Sequence, residues 1–126
     1  MNPSFGVQKI SLNLFKIMAN CHAILIDKDK FPEDLNNLIA HEGWHINEKK
    51  DSIFKEYKFK NFNQAFSFMT MVALKAEKMD HHPDWTNIYN TVNIRLNTHS
   101  VAGLSDKDVT LASFIENAYK MHFQKS

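Results

Sequence analysis

The chain has few of the residues that interrupt or cross-link a fold. Its 126 residues include one cysteine, three glycines and three prolines. The single cysteine, Cys21, excludes an intrachain disulfide and a cysteine-rich metal site, and such sparse use of cysteine suits a reducing compartment. We interpret Cys21 as a small apolar side chain that fills space.

The sequence also lacks a strong charge of either sign. Its formal net charge is +1, and no run of lysines or arginines provides the electrostatic footprint of a nucleic-acid-binding surface. The apolar stretch over residues 10–26 is broken by Asn, Lys and His, and it is too short and too polar to span a membrane. We therefore expect neither a membrane segment nor direct contact with nucleic acid, and we expect a small or uncharged ligand.

Acidic residues are missing from the beginning of the chain, where the first carboxylate is Asp27. An amphipathic, acid-poor start resembles an organellar presequence. We expect a cytoplasmic protein, with nuclear and organellar locations left open. Residues 1–30 are interpreted as an N-terminal extension, an added helix or strand, and residues 31–126 as a single domain.

The rest of the chain alternates between helical and strand-like periodicity. The patterns predict the following elements: a helix opened by Pro32 and ended by Gly43, strands over 44–48 and 53–59, a helix from Phe62 to Met79, strands over 85–89 and 92–98, and a helix from Ser105 to about His122. An amphipathic helix between two strand pairs packs most simply on one face of a sheet. The predicted fold is α+β in two layers, a four-stranded antiparallel sheet with helices on one face.

Two features of the long helices are predicted in more detail. The expected apolar face of the second helix consists of Phe62, Ala65, Phe66, Met69, Val72, Ala73 and Ala76, and it is widened by Phe68, Met71 and Leu74. At the start of the last helix, Ser105 with Asp108 three residues later forms a variant capping box. Phe114 and Met121 on that helix add apolar surface beyond what one sheet can cover, which indicates a partner helix from another subunit.

Two adjacent histidines stand where the second helix meets the next strand, in the sequence Asp80-His81-His82-Pro83-Asp84-Trp85. Neighbouring residues in regular structure point in different directions, but a turn can aim both rings at one space. If the following hairpin returns to the same end of the sheet, His99 joins the pair. Asp108 then lies close by, and Trp85 is expected near the wall of the pocket.

Three imidazoles beside a carboxylate suit a reaction that moves protons. Histidine titrates at a pKa of about 6.5, and a nearby carboxylate fixes one tautomer and raises the basicity of the other ring nitrogen. The sequence contains no Gly-x-Ser-x-Gly nucleophile motif, phosphate loop or dinucleotide fingerprint. A zinc ion held by three histidines is the rival interpretation, although residues 77–99 lack the His-Glu-x-x-His spacing. The remaining histidines are interpreted as ordinary polar residues: His22, His41, His45 and His122.

An ordered series of short motifs runs through much of the chain. Residues 77–85 read EKMDHHPDW, and they are followed by NIYN at 87–90, TH at 98–99, AGLS at 102–105 and Asp108. Upstream stand GW at 43–44, DSIF at 51–54 and the run from 59 to 76. Over residues 33–122, in one register, these motifs resemble the pterin-4a-carbinolamine dehydratase family.

The resemblance implies a metal-free hydro-lyase that needs no cofactor, because the pterin is the substrate. The implied reaction is dehydration of 4a-hydroxytetrahydrobiopterin, the 4a-carbinolamine, to quinonoid dihydropterin and water in tetrahydrobiopterin recycling. The family's active-site histidines correspond to His81, His82 and His99, and its helix-start aspartate to Asp108. Its pterin-contact segments correspond to residues 80–82 and 97–99, where Asn97 replaces a serine common in the family.

Roles for these residues follow from the reaction as hypotheses. His81 and His99 are predicted to share the proton transfers, while Asp80 and His82 bind and orient the ring. Asp108 or Glu77 is predicted to fix the tautomer of a histidine. Thr98, Asn97 and Trp85 are the other predicted pterin contacts.

A different function is also implied by the resemblance. Animal members of the family bind a homeodomain transcription factor as dimerisation cofactors, so the alternative is a non-enzymatic protein that binds a partner helix. Phe114, Ala118 and Met121 are the residues predicted to contact such a helix. We expect a homodimer or homotetramer formed through helices and sheet edges.

Overall fold

A computed structural model describes residues 23–124 and orders them into three helices and four strands. The elements are α1 (Glu33–His41), β1 (His45–Ile46), β2 (Ile53–Lys58), α2 (Phe62–Met79), β3 (Asp84–Ile88), β4 (Thr91–Leu96) and α3 (Asp106–His122), with a short 3₁₀ turn at His99–Val101. The predicted order and the α+β class are confirmed. None of the helices within residues 23–124 combines the length and hydropathy that a membrane crossing requires.

The four strands form one antiparallel sheet in the order β1-β2-β4-β3. Along β4, Val92, Ile94 and Leu96 are buried while Asn93 and Arg95 are exposed. This two-residue period is what a sheet covered by helices on one face requires. The other face of the sheet is open to solvent.

The first strand is shorter than the predicted strand over 44–48. It comprises His45 and Ile46, because the chain turns at Asn47. The Asn47 side-chain oxygen accepts hydrogen bonds from the backbone N–H groups of Asp51 and Ser52, at 2.9 and 3.0 Å. An asparagine that binds the backbone in this way stabilises a turn in place of a longer strand.

The buried face of α2 is narrower than the predicted one. Ala65, Phe68, Val72 and Ala76 are predicted to lie on this face and are buried, whereas other predicted members are exposed, namely Phe62, Phe66, Ala73 and Leu74. Apolar residues extend around more of the helix than is buried, so their spacing alone does not mark the edges of the buried face. Phe68 packs against the rings of Tyr57 and Phe59 in the core, and this contact sets the rotation of the helix.

A buried carboxylate joins the helix layer to the sheet. Oε1 of Glu116 on α3 accepts hydrogen bonds from Trp44 Nε1 at 3.2 Å, Lys55 Nζ at 2.7 Å and Tyr57 OH at 2.7 Å. Burial and the charge of Glu116 raise the pKa of Tyr57, so its hydroxyl stays protonated and donates. Three donors compensate the cost of removing Glu116 from water.

The segment before α1 is tied to the start of α3. The N–H of Ile26 donates to Leu104 O at 2.9 Å, and the N–H of Ile24 donates to Asp106 Oδ1 at 2.8 Å. Leu25 forms a single antiparallel bridge with Ser105. The predicted extension over residues 1–30 is thus described only from residue 23 onward, and residues 1–22, including Cys21 and His22, lie outside the described residues.

The network around Glu116 leads to a stability prediction. Replacing Glu116 with Ala leaves Lys55, Tyr57 and Trp44 without their shared acceptor, so we expect the free energy of unfolding to fall by about 3 kcal/mol or more. Glu56→Ala is the matched control, because Glu56 and Lys58 are mostly exposed and 3.9 Å apart. Urea unfolding measures both variants. Equal effects of the two substitutions would contradict the role given to Glu116.

Candidate active site

The end of α2 directs the two adjacent histidines to different surroundings. Asp80 caps the helix in the left-handed conformation, with φ of 51°, and the N–H of His81 donates to Ala76 O at 3.0 Å. The chain reverses at this point, as at many helix ends. His81 becomes buried, at 8% exposure, whereas His82 lies on the surface.

A buried carboxylate, Asp108, holds the ring of His81. Asp108 Oδ1 lies 2.6 Å from His81 Nε2, and Oδ2 lies 2.6 Å from Thr98 Oγ1 and 2.9 Å from the backbone nitrogen of Ser105. Asp108 is completely buried, so these contacts replace its hydration. One carboxylate therefore connects the end of α2, the segment after β4 and the start of α3.

The hydroxyl groups beside Asp108 form a chain with a fixed direction. An ionised carboxylate only accepts hydrogen bonds, so Thr98 must donate to Asp108. Ser105 Oγ lies 2.6 Å from Thr98 Oγ1 and must donate to it in turn. Ser105 Oγ itself accepts from the backbone N–H of Lys107, and the capping box predicted at Ser105 and Asp108 is confirmed.

The exposed histidine, His82, has a separate carboxylate partner. Its Nε2 lies 3.3 Å from Glu77 Oε1, on the outer surface of the last helical turn. Glu77, Asp80 and His82 each offer one oxygen or nitrogen atom, and these atoms lie within 4.8 Å of one another. That spacing is short enough for a cation, but exposed acidic side chains commonly lie this close without one.

The third predicted histidine follows directly after the buried network. Thr98 pairs with Gly103 through two backbone hydrogen bonds, of 2.8 and 3.3 Å, and this pairing closes the loop that contains His99. The His99 side chain is exposed, as expected from its position in the strand pattern. It lines a cavity of about 710 Å³ together with Asn97, Thr98 and residues of the β1–β2 turn.

The structure does not gather all the predicted site residues around that cavity. Asn97, Thr98 and His99 line it, whereas His81, His82, Asp80 and Glu77 do not. Trp85 lines another cavity, of about 370 Å³, with Phe54 and Arg95. The connection between His81 and the His99 loop is the hydrogen-bonded path through Asp108 and Thr98.

The sequence patterns predict no site role for two residues that the structure places here. Ser105 is predicted as a helix cap within the motif at 102–105, and its contact with Thr98 depends on a loop that returns over seven residues. Ser52, which belongs to the motif at 51–54, lines the 710 Å³ cavity from the turn before β2. The alternation along β2 could have placed Ser52 on the sheet face that bears Phe54.

Comparison with known proteins gives the family of the chain. The family model for pterin 4 alpha carbinolamine dehydratase matches residues 26–118. One similar crystal structure is that of a transcriptional coactivator/pterin dehydratase from Brucella melitensis, whose sequence is 37% identical to this one and whose fold superposes with a TM-score of 0.66. The alignment covers 75% of this chain and 97% of that one. The chain belongs to the pterin-4a-carbinolamine dehydratase family, as its motifs predict.

A more distant structure shares the fold. It is a pterin dehydratase-like protein described as a RuBisCO assembly factor in the alpha-carboxysome. The two sequences are 22% identical, the TM-score is 0.52, and the alignment covers 60% of this chain and 87% of that one. Proteins of this fold thus carry descriptions other than that of an enzyme, and the fold alone does not decide the function.

The buried network leads to a second stability prediction. Thr98→Val keeps the shape of the side chain but removes the hydroxyl between Asp108 and Ser105, so we expect a loss of about 1–3 kcal/mol in the free energy of unfolding. Thr86→Val on the exposed face of β3 is the control, with an expected change within about 0.5 kcal/mol. Thermal or urea unfolding compares them, and an unchanged stability of Thr98→Val would contradict the network.

Proposed function

We propose that this protein dehydrates 4a-hydroxytetrahydropterins, with 4a-hydroxytetrahydrobiopterin in tetrahydrobiopterin recycling as the expected substrate. The family to which the chain belongs supports the substrate class. The observation that carries the proposal for this chain is the Asp108 carboxylate, which binds His81 with one oxygen and Thr98, the neighbour of His99, with the other. His81 and the segment that contains His99, the two proposed proton-transfer groups, are thereby linked through a single buried carboxylate.

The reaction requires an acid and a base on one substrate. The bond between C4a and its hydroxyl oxygen breaks as an acid protonates the leaving oxygen. A base removes the proton from N5, a double bond forms between C4a and N5, and water leaves. No electrons are exchanged with another molecule, so histidines suffice, and each well-placed acid or base contributes about 10²–10⁴ in rate.

The contacts of the histidines favour particular roles. Nε2–H of His81 donates a hydrogen bond to Asp108, so Nδ1 of the neutral ring is free to accept a proton. His81 is therefore proposed as the base for N5, and the exposed His99 as the acid for the leaving hydroxyl. His82, with Glu77 and Asp80 beside it, is proposed to orient the ring from the surface of α2.

A second candidate function is the binding of a partner protein, including a transcription factor as implied by the resemblance. It is favoured by apolar side chains on the outer surface of the helices, where Leu74 is 70% and Met121 74% exposed. The Brucella protein is described as a transcriptional coactivator as well as a pterin dehydratase. Ala118 does not belong to this surface, because it is buried against the core. A homodimer or homotetramer formed through helices and sheet edges stays a prediction.

The first test is the decay of enzymatically generated 4a-hydroxytetrahydropterin, followed by stopped flow with and without the protein. We expect the wild-type protein to accelerate the decay and His99→Ala to lower the catalysed rate at least about tenfold, because one proton-transfer group is lost. His41→Ala, at an exposed position on α1, is the matched control and should retain the rate. Unchanged turnover of a folded His99→Ala variant would refute the role of His99. Partner binding without dehydration by the wild-type protein would favour the second candidate.

The same assay separates histidine catalysis from the rival zinc site. After treatment with a chelator and removal of the chelated metal, we expect the dehydration rate to stay unchanged, because histidine side chains are proposed to carry out both proton transfers. Added zinc should not increase the rate. Loss of activity on chelation, restored by stoichiometric zinc, would overturn the metal-free mechanism.

A further inference from the structure

The cavity beside His99 extends well beyond the histidine itself. Its volume is about 710 Å³, within the range of small-molecule sites. The His99 loop lines it, and so does the turn between β1 and β2, with Asn47 and Ser52. A ligand whose reacting part lies at His99 would thus have space for a substituent directed toward that turn.

Ser52 in this wall has a buried hydroxyl that the fold does not use. The residue is 2% exposed, and among residues 23–124 its Oγ is the one buried side-chain oxygen or nitrogen without a hydrogen-bond partner. The turn is already closed by Asn47 Oδ1, which binds the backbone N–H groups of Asp51 and Ser52. Because an unpaired buried hydroxyl costs about 1–3 kcal/mol, alanine would serve the packing here at least as well.

The side chain of Asn97 lies beside Ser52, at the neighbouring position just past the end of the adjacent strand. Ile53 pairs with Leu96 in the antiparallel register of β2 and β4, so the next positions outward are Ser52 and Asn97. Both residues line the cavity, and Asn97 directly precedes Thr98 and His99. A serine needs only a rotation about χ1 to redirect its hydroxyl, so the two side chains can bind one substituent together.

The charges around the cavity favour a neutral ligand group. Lys49 and Arg95 contribute two positive charges to the lining, and Glu48 and Asp51 contribute two negative ones. The balance gives no net attraction to an anionic or a cationic substituent, whereas the Ser52 hydroxyl and the Asn97 amide can both donate and accept hydrogen bonds. Hydroxyl groups on a short alkyl chain match these partners.

We infer that the cavity binds a hydroxylated side chain at C6 of the pterin, with Ser52 and Asn97 as the residues that recognise its hydroxyl groups. The inference rests on the proposed function, because it assumes that the pterin ring lies at His99. Ser52 and Asn97 determine specificity and take no part in the proton transfers. Pterins that carry a dihydroxypropyl group are preferred over pterins with a plain methyl group at the same carbon.

A double-mutant cycle between protein and ligand tests this recognition. Isothermal titration calorimetry measures the binding of 7,8-dihydrobiopterin, which has the dihydroxypropyl group, and of 6-methyl-7,8-dihydropterin, which has none. The proteins are wild type, Ser52→Ala and the control Ser67→Ala at an exposed position on α2. We expect Ser52→Ala to weaken binding of the hydroxylated pterin about three- to tenfold, the equivalent of one neutral hydrogen bond, and to leave the methyl pterin unchanged. Ser67→Ala should match wild type with both.

The possible outcomes separate the inference from the function on which it rests. If wild type and Ser52→Ala bind both pterins with the same ratio of affinities, the side-chain inference is wrong while pterin binding stands. If the wild-type protein binds neither pterin, the proposed function fails and the inference fails with it. A melting temperature of Ser52→Ala at or above that of wild type is expected and excludes loss of folding as the cause of weaker binding.

Discussion

The buried carboxylate of Asp108 is the interaction on which the arrangement of the site depends. A completely buried charge is stable only when hydrogen bonds replace its hydration, and Asp108 receives them from His81, Thr98 and the backbone of Ser105. These three partners belong to three separate parts of the chain. Satisfying the charge therefore fixes where the end of α2, the His99 loop and the start of α3 lie relative to one another.

A second buried carboxylate, Glu116, joins α3 to the sheet in the same way. There, too, a buried carboxylate collects three donors, from the sheet and from the residue that precedes β1. The two networks differ in their surroundings. Glu116 lies among aromatic rings, whereas Asp108 lies beside the loop that contains His99. The side chain of His99 is exposed and lines a cavity. The fold thus has one carboxylate that stabilises the core and another that binds His81 and Thr98 beside the loop that contains His99.

The features that could be predicted from the sequence are those set by local spacing. The capping box at Ser105 and Asp108 follows from a three-residue interval, and the buried and exposed sides of β4 follow from a two-residue alternation. The order of helices and strands follows from such patterns as well. The resemblance to the pterin-4a-carbinolamine dehydratase family correctly identified the family, because its motifs form one ordered series.

The features that could not be predicted depend on contacts between distant residues. The apolar face predicted for α2 was too wide, because apolar residues surround more of the helix than the core covers, and its buried part is set by contacts such as those of Phe68 with Tyr57 and Phe59. Local patterns could not reveal that Glu116 meets Tyr57, 59 positions away, or that Ile24 meets Asp106, 82 positions away. His81 and His82 diverge because Asp80 adopts the left-handed conformation. Residues other than glycine adopt this conformation only rarely, and no local sequence pattern predicted it at Asp80.

The tautomer of His81 is the most direct test of the role given to Asp108. Long-range ¹H–¹⁵N correlation spectra of the ¹⁵N-labelled protein at neutral pH report which ring nitrogen carries hydrogen. Because an ionised Asp108 can only accept, the account predicts that Nε2 of His81 is protonated and that this signal changes in Asp108→Asn. A wild-type ring with hydrogen on Nδ1 alone would contradict it, since Nε2 would then have no proton to donate to the carboxylate.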